Sequence, residues 1–209
     1  MQAPRHHASL RRNLLLALAS LPLMAQATEE PAFEVQRRLG DAEVRLYAPY
    51  VVAEVEVPGP AEAAGNRAFP ILAGYIFGKN QGERKLAMTA PVTQAVQPVK
   101  LAMTAPVAQV PTAQGFVVQF VLPRDVTLET APLPDDARVR LRQMPARQWA
   151  VIRYSGFWSD ANYAEHLAKL TDALRQARQP WVGEPLYARY DPPITPWFLR
   201  RNEIWLALP

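Results

Sequence analysis

Lys85-Leu-Ala-Met-Thr-Ala-Pro-Val92 recurs unchanged as Lys100-Leu-Ala-Met-Thr-Ala-Pro-Val107, fifteen positions downstream. Eight consecutive identities over so short a distance mark a duplicated structural unit or a segment held to one chemical pattern. In each copy Leu, Met, Ala and Val take one parity, and Ala, Thr and Pro the other. That alternation predicts a short strand for each copy. The spacer from Thr93 to Val99 contains Pro98 and suits the turn of a long hairpin. The two copies would then pair antiparallel, with Pro91 and Pro106 near strand ends, where a missing N–H costs least.

Upstream, residues 33–57 read as strands with a turn at Gly40-Asp41. Ala42-Glu-Val-Arg-Leu-Tyr47 alternates charge with apolar side chains, and Val51 to Val57 resumes the alternation after Pro49. Period two of this kind belongs to a sheet with one face in water. Residues 61–77 have helical composition, with Ala64, Ala68, Leu72, Tyr75 and Ile76 on one side and Gly78 at the position of a C-terminal cap. Pro70 either kinks that helix or marks the first turn of a shorter one.

Downstream of the repeat, Gly115 to Leu122 is a dense strand, and residues 126–137 read as loop. Val139 to Gln143 and Gln148 to Tyr154 form two more strands. A second helix runs from about Ser159, a good N-cap, to Arg178, burying Tyr163, Leu167, Leu170 and Leu174. A strand at 185–190 and a last one at 203–208 follow. The order is two similar halves, with too few crossovers for a parallel sheet. It predicts a single α+β domain with a mostly antiparallel sheet and two long helices.

The 209 residues suffice for one ordinary domain. Residues 1–27 carry the marks of a cleaved secretory signal: basic Arg11-Arg12, an apolar run from Leu14 to Met24, and Ala25-Gln26-Ala27 as cleavage site. The run is too short to span a bilayer. The mature chain is expected at 28–209, in the periplasm or secreted. Without Arg5, Arg11 and Arg12, 20 basic residues face 19 acidic ones, a net charge of +1. No basic run longer than two residues remains, so nucleic acid is a poor partner. The absence of cysteine excludes disulfides, thiolate nucleophiles and cysteine-ligated metals.

Val44-Arg-Leu-Tyr-Ala-Pro-Tyr50, Tyr75-Ile-Phe-Gly-Lys-Asn80 and Lys85 to Val92 come in the order seen in SOUL haem-binding proteins. They are followed by Phe120-Val-Leu-Pro123, Val151-Ile-Arg-Tyr-Ser-Gly156, Tyr190-Asp-Pro-Pro193 and Arg200-Arg-Asn-Glu-Ile-Trp-Leu206. The chain resembles that family over roughly 33–208, and the doubled Met-Thr-Ala-Pro-Val looks like its prokaryotic, secreted branch. The resemblance implies a twisted, barrel-like antiparallel sheet with two helices and two similar halves, related to bacterial effector-binding domains. It also implies haem or another tetrapyrrole in a surface hydrophobic cleft beside a helix.

Fold does not carry function automatically, so the site is read separately. Haem iron is commonly held by His, Met, Cys or Tyr. His166, the single histidine after the leader, is either a boundary residue with a polar contact or an axial metal ligand. Where some family members carry a proposed ligand histidine in the early strands, this chain has Tyr47 and Tyr50. Met88 and Met103, one per repeat copy, are alternative thioether ligands or core gap-fillers. The macrocycle is expected against Phe69, Leu72, Tyr75, Ile76 and Met88, with Arg67 and Lys79 near the propionates. Arg200-Arg201-Asn202-Glu203 is either an anion site or an Arg–Glu pair fixing the last strand. No catalytic set emerges: Ser155-Gly156 lacks the setting of a nucleophile elbow, and one histidine leaves little for a triad.

These readings favour a non-enzymatic binder of haem or a related tetrapyrrole. A module for another amphipathic small molecule and a protein-interaction module are the alternatives.

Overall fold

The computed structural model describes residues 28–82 and 98–209. Among them nine strands form one sheet, with two helices packed on it. The first half comprises β1 (Phe33–Leu39), β2 (Ala42–Tyr47), β3 (Tyr50–Val57), α1 (Ala61–Ile76), β4 (Val107–Thr112) and β5 (Gly115–Val121). The second comprises β6 (Arg140–Met144), β7 (Arg147–Tyr154), α2 (Asp160–Gln176), β8 (Val182–Arg189) and β9 (Asn202–Ala207). All pairings are antiparallel.

The sheet order is β1-β2-β7-β9-β8-β4-β5-β3-β6. Setting β1 aside, exchange of β2 with β6, β3 with β7, β4 with β8 and β5 with β9 reads that order backwards. The fold is therefore a pseudo-two-fold repeat whose halves meet at the β4–β8 pair, through Val107↔Arg189, Ala108↔Ala188 and Gln109↔Tyr187. Each half also lends one strand to the other, β2 to β7 and β6 to β3. The expected fold class is found.

Helix α1 lies over β3, β5 and β4, with Ala64, Ala68, Leu72, Tyr75 and Ile76 in the core. The small Ala64 and Ala68 and the larger Leu72, Tyr75 and Ile76 all pack into the same core cluster. Its C-terminus is closed by Gly78 at φ +110°, with Lys79 N–H donating to Gly74 O at 2.8 Å and Gly78 N–H to Tyr75 O at 3.3 Å. Those paired bonds satisfy otherwise orphaned carbonyls. The helix continues through Pro70, which forgoes the bond to the Asn66 carbonyl. Helix α2 begins at Ser159, whose side chain accepts from Asn162 N–H, and buries Tyr163, Leu170 and Leu174 against β7 and β9.

The opposite face of the sheet holds a third cluster around Tyr47, Trp149, Leu186 and Trp205. There Tyr47 stacks on Trp205 at 4.4 Å. The sheet thus buries both faces, and burial of each large apolar side chain contributes about 1.5–3 kcal/mol.

The hairpin expected of the repeat is not formed by the copy that can be seen. The first copy, with Met88 and Pro91, lies outside the described residues. In the second, residues 100–106 make no strand, and Val107 opens β4, whose edges are taken by β5 and β8. The Leu101 N–H donates to Ile76 O and the Ala105 N–H to Glu29 O, both across the chain. Strand β8 starts earlier than expected, at Val182, with an irregularity before Leu186. The leader expected at 1–27 also lies outside the described residues.

Candidate functional site

On the helix side of the seam between the halves lies a cleft of about 400 Å³. Helix α1 contributes Gly65, Asn66 and Phe69. The second repeat copy contributes Met103, Thr104, Ala105 and Val107. Trp158 enters from the turn before α2, and Arg189 to Pro193 from the end of β8. The volume falls within the usual range for small-molecule sites, and the apolar walls with few polar groups match their composition. A larger depression beside Gly40, about 530 Å³, is rimmed by Asp41, Lys169 and Asp172 and has no aromatic wall.

Phe69 is 47% exposed, yet its ring meets Phe120 edge-on at 5.6 Å, so it forms a supported wall. Trp158 is held by its indole N–H, which donates to Asn202 Oδ1 at 2.7 Å. The guanidinium carbons of Arg189 and Arg200 lie 4.6 and 4.5 Å from its ring centroid. The Tyr190 hydroxyl donates to Glu203 Oε2 at 2.8 Å. Burial first, and then the Glu203 carboxylate, hold that phenol well above its ordinary pKa. Tyr190 therefore stays protonated, which opposes phenolate ligation of a metal.

Arg189 is buried at the seam. Its Nη2 donates to Tyr163 Oη at 2.6 Å, to Ala61 O at 3.0 Å and to Gln109 Oε1 at 3.0 Å, and its Nε to Tyr163 Oη at 3.2 Å. One guanidinium thus ties the start of α1 to α2 and β4. Thr104 donates its hydroxyl to Val121 O, and Asp191 Oδ2 accepts from Arg201 N–H at 2.6 Å.

Of the described residues expected to hold a macrocycle, Phe69 alone lines the cleft. Leu72, Tyr75 and Ile76 are at most 1% exposed and face the sheet, with the Tyr75 hydroxyl bound to Pro132 O at 3.0 Å. Their apolar stripe is the helix's own core contact. Arg67 is exposed and donates to Pro58 O at 2.7 Å. Lys79 lays its aliphatic stem against Gly74 at the far end of α1. Neither borders the cleft. His166 stacks on Tyr154 at 4.2 Å, with Nδ1 at 2.9 Å from Asn162 O, and also lies outside the lining. Among the described residues no cluster of three or more His, Cys, Asp or Glu could hold a metal. Met88 is not described, but Met103, its counterpart in the second copy, does line the cleft.

The Arg201–Glu203 pair forms at 2.9 Å, fixing the last strand as one sequence reading had it. Trp158, Arg189 and Tyr190 were not legible as site residues. A charged residue ending the apolar run Leu186-Tyr-Ala188 was the one available signal for Arg189.

Residues 28–207 match the SOUL heme-binding protein family. The chain is 30% identical over 189 residues to Heme-binding protein 2 of Homo sapiens, covering 87% of each. It is 28% identical over 157 residues to Heme-binding protein 1 of Mus musculus, covering 74% of this chain and 77% of the relative. Among solved structures, the EcmrR C-terminal domain superposes with a TM-score of 0.56 at 11% identity, covering 85% of this chain and 98% of that one. That likeness concerns the fold alone.

Proposed function

The chain belongs to the SOUL heme-binding protein family, and we propose that its seam cleft binds haem or a related tetrapyrrole for sequestration or transfer. The observation that carries the proposal is the lining: Phe69 and Trp158 offer aromatic surface, and Met103 and Val107 aliphatic surface, around about 400 Å³. Apolar burial supplies most of the affinity, and Met103 brings the sulfur that could reach an iron. The role is binding without turnover. The Thr104 and Tyr190 hydroxyls and the Asp191 carboxylate each already hold a neighbour, so none is poised as a nucleophile or base.

The leader features at 1–27 support a periplasmic or secreted setting, with the mature chain starting near Thr28 and the doubled repeat belonging to a prokaryotic branch. Among the described residues no helix is long and apolar enough to cross a membrane.

Haemin titrated into the mature protein should give a saturable Soret shift at one equivalent. Phe69→Ser should weaken it about tenfold, the order expected for removing one aromatic wall, while Leu72→Val should not weaken it. Association without saturation, or equal loss in both variants, would remove the cleft from consideration. A protein partner that co-purifies, with no effect of haemin on thermal unfolding, would favour the interaction reading instead.

A further inference from the structure

Arg189 is only 6% exposed, and its four hydrogen bonds among the described residues go to neutral acceptors. Among the described residues no carboxylate pairs with it, although ten other ion pairs form. A buried charge without a counter-charge is strongly unfavourable. Its Nη1 makes no hydrogen bond among the described residues and reaches over Gly65, where a Cβ would lie 2.7 Å from it.

Gln109 points to the same place. Its Oε1 must face Arg189, because a guanidinium only donates. That fixes Nε2 on the other side, fully buried, without an acceptor among the described residues, and 2.6 Å from the same Cβ position. Having no Cβ, Gly65 lets the ends of Arg189 and Gln109 lie against its backbone, where the two unpartnered donor groups meet, and Gly65 and Arg189 both border the cleft. The other charged lining residue, Asp191, is engaged by Arg201 N–H.

We infer that Arg189, held by Gln109 and Tyr163, is a carboxylate-binding residue at the Gly65 end of the cleft, so that the ligand turns an acid group toward it. The inference rests on the proposed tetrapyrrole cleft and deepens it. It gives the ligand an orientation, with one carboxylate inward on Arg189 and the macrocycle against Phe69 and Trp158. Arg67 and Lys79 take no part.

The test compares protoporphyrin IX with its dimethyl ester by quenching of tryptophan fluorescence at physiological ionic strength. The pair differs in the acid groups alone and carries no iron, so axial ligation does not enter. The mature protein should bind the acid about tenfold to a hundredfold more tightly, the range of a hydrogen bond to a charged group. Arg189→Met should bring that ratio close to one. Gly65→Ala should also lower the ratio, since its methyl displaces the ends of Arg189 and Gln109 while alanine suits a helix. It decides the matter if Arg189→Met does not fold. Equal affinity for acid and ester in the mature protein, or a ratio retained in both variants, overturns the carboxylate site and leaves the cleft standing. Saturation by neither porphyrin overturns the cleft and the inference with it.

Discussion

Glu203 and Arg45 meet in the interior, with Arg45 Nη1 at 3.1 Å from both carboxylate oxygens. Glu203 has no exposed surface, and it also accepts from Arg201 Nη2 at 2.9 Å, Tyr190 Oη at 2.8 Å and Trp205 Nε1 at 2.8 Å. Both oxygens are therefore satisfied, and the charge is balanced by two guanidinium groups. Glu203→Ala takes one of its two carboxylate partners from the buried Arg45, which keeps Glu43, and leaves the Tyr190 and Trp205 donors without an acceptor, and should cost about 3–5 kcal/mol. The midpoint of urea unfolding measures this. Glu203→Gln, which keeps the shape and some acceptor capacity, should cost less.

His166 lies outside the lining of the cleft. Its Nδ1 faces the Asn162 carbonyl, which can only accept, so that nitrogen carries the proton, and the ring lies on Tyr154. His166→Ala should leave the haemin titration unchanged and lower stability by about 0.5–1.5 kcal/mol through the lost ring contact. A lost or displaced Soret band in this variant would restore the histidine as a ligand.

Alkaline pH should destabilise the fold. Burial raises Tyr47, Tyr154, Tyr187 and Tyr190 above the ordinary tyrosine value of 10.0, and Tyr50 to about 12. An acid raised by folding favours the native state in its neutral form. The stabilisation is complete below pH 10.0, where the unfolded chain is also protonated, and disappears as pH rises through the folded values. Tyrosinate absorbance should lag behind that of free tyrosine above pH 10.0, then rise together with loss of far-ultraviolet dichroism. A normal titration of all seven tyrosines would contradict this burial.

The elements themselves were legible because their signals are local. Ser159 caps α2, Gly78 closes α1, and the stripes Ala64 to Ile76 and Tyr163 to Leu174 fall on the buried faces. What the repeat pairs with was not legible, since strand alternation is the same whichever neighbour supplies the ladder. The apolar stripe of α1 misled in a related way. Period 3.6 says that Leu72, Tyr75 and Ile76 are covered, but it does not say whether a ligand or the chain's own sheet covers them. Phe69, beside the stripe, is the residue left for a ligand. Arg189 and Gln109 come together only because β4 and β8 pair at the seam, across 80 residues of chain.

The exchange of β2 and β6 makes the halves inseparable. No single cut in the chain yields two pieces that each retain their own sheet neighbours, because β7 needs β2 and β3 needs β6. The arrangement is an exchange of arms within one molecule. It ties formation of either helix-covered layer to contacts from the far end of the chain, which slows folding. Heat or denaturant should accordingly melt the protein in one cooperative transition, so a cleft lined from both halves persists only while the whole fold does.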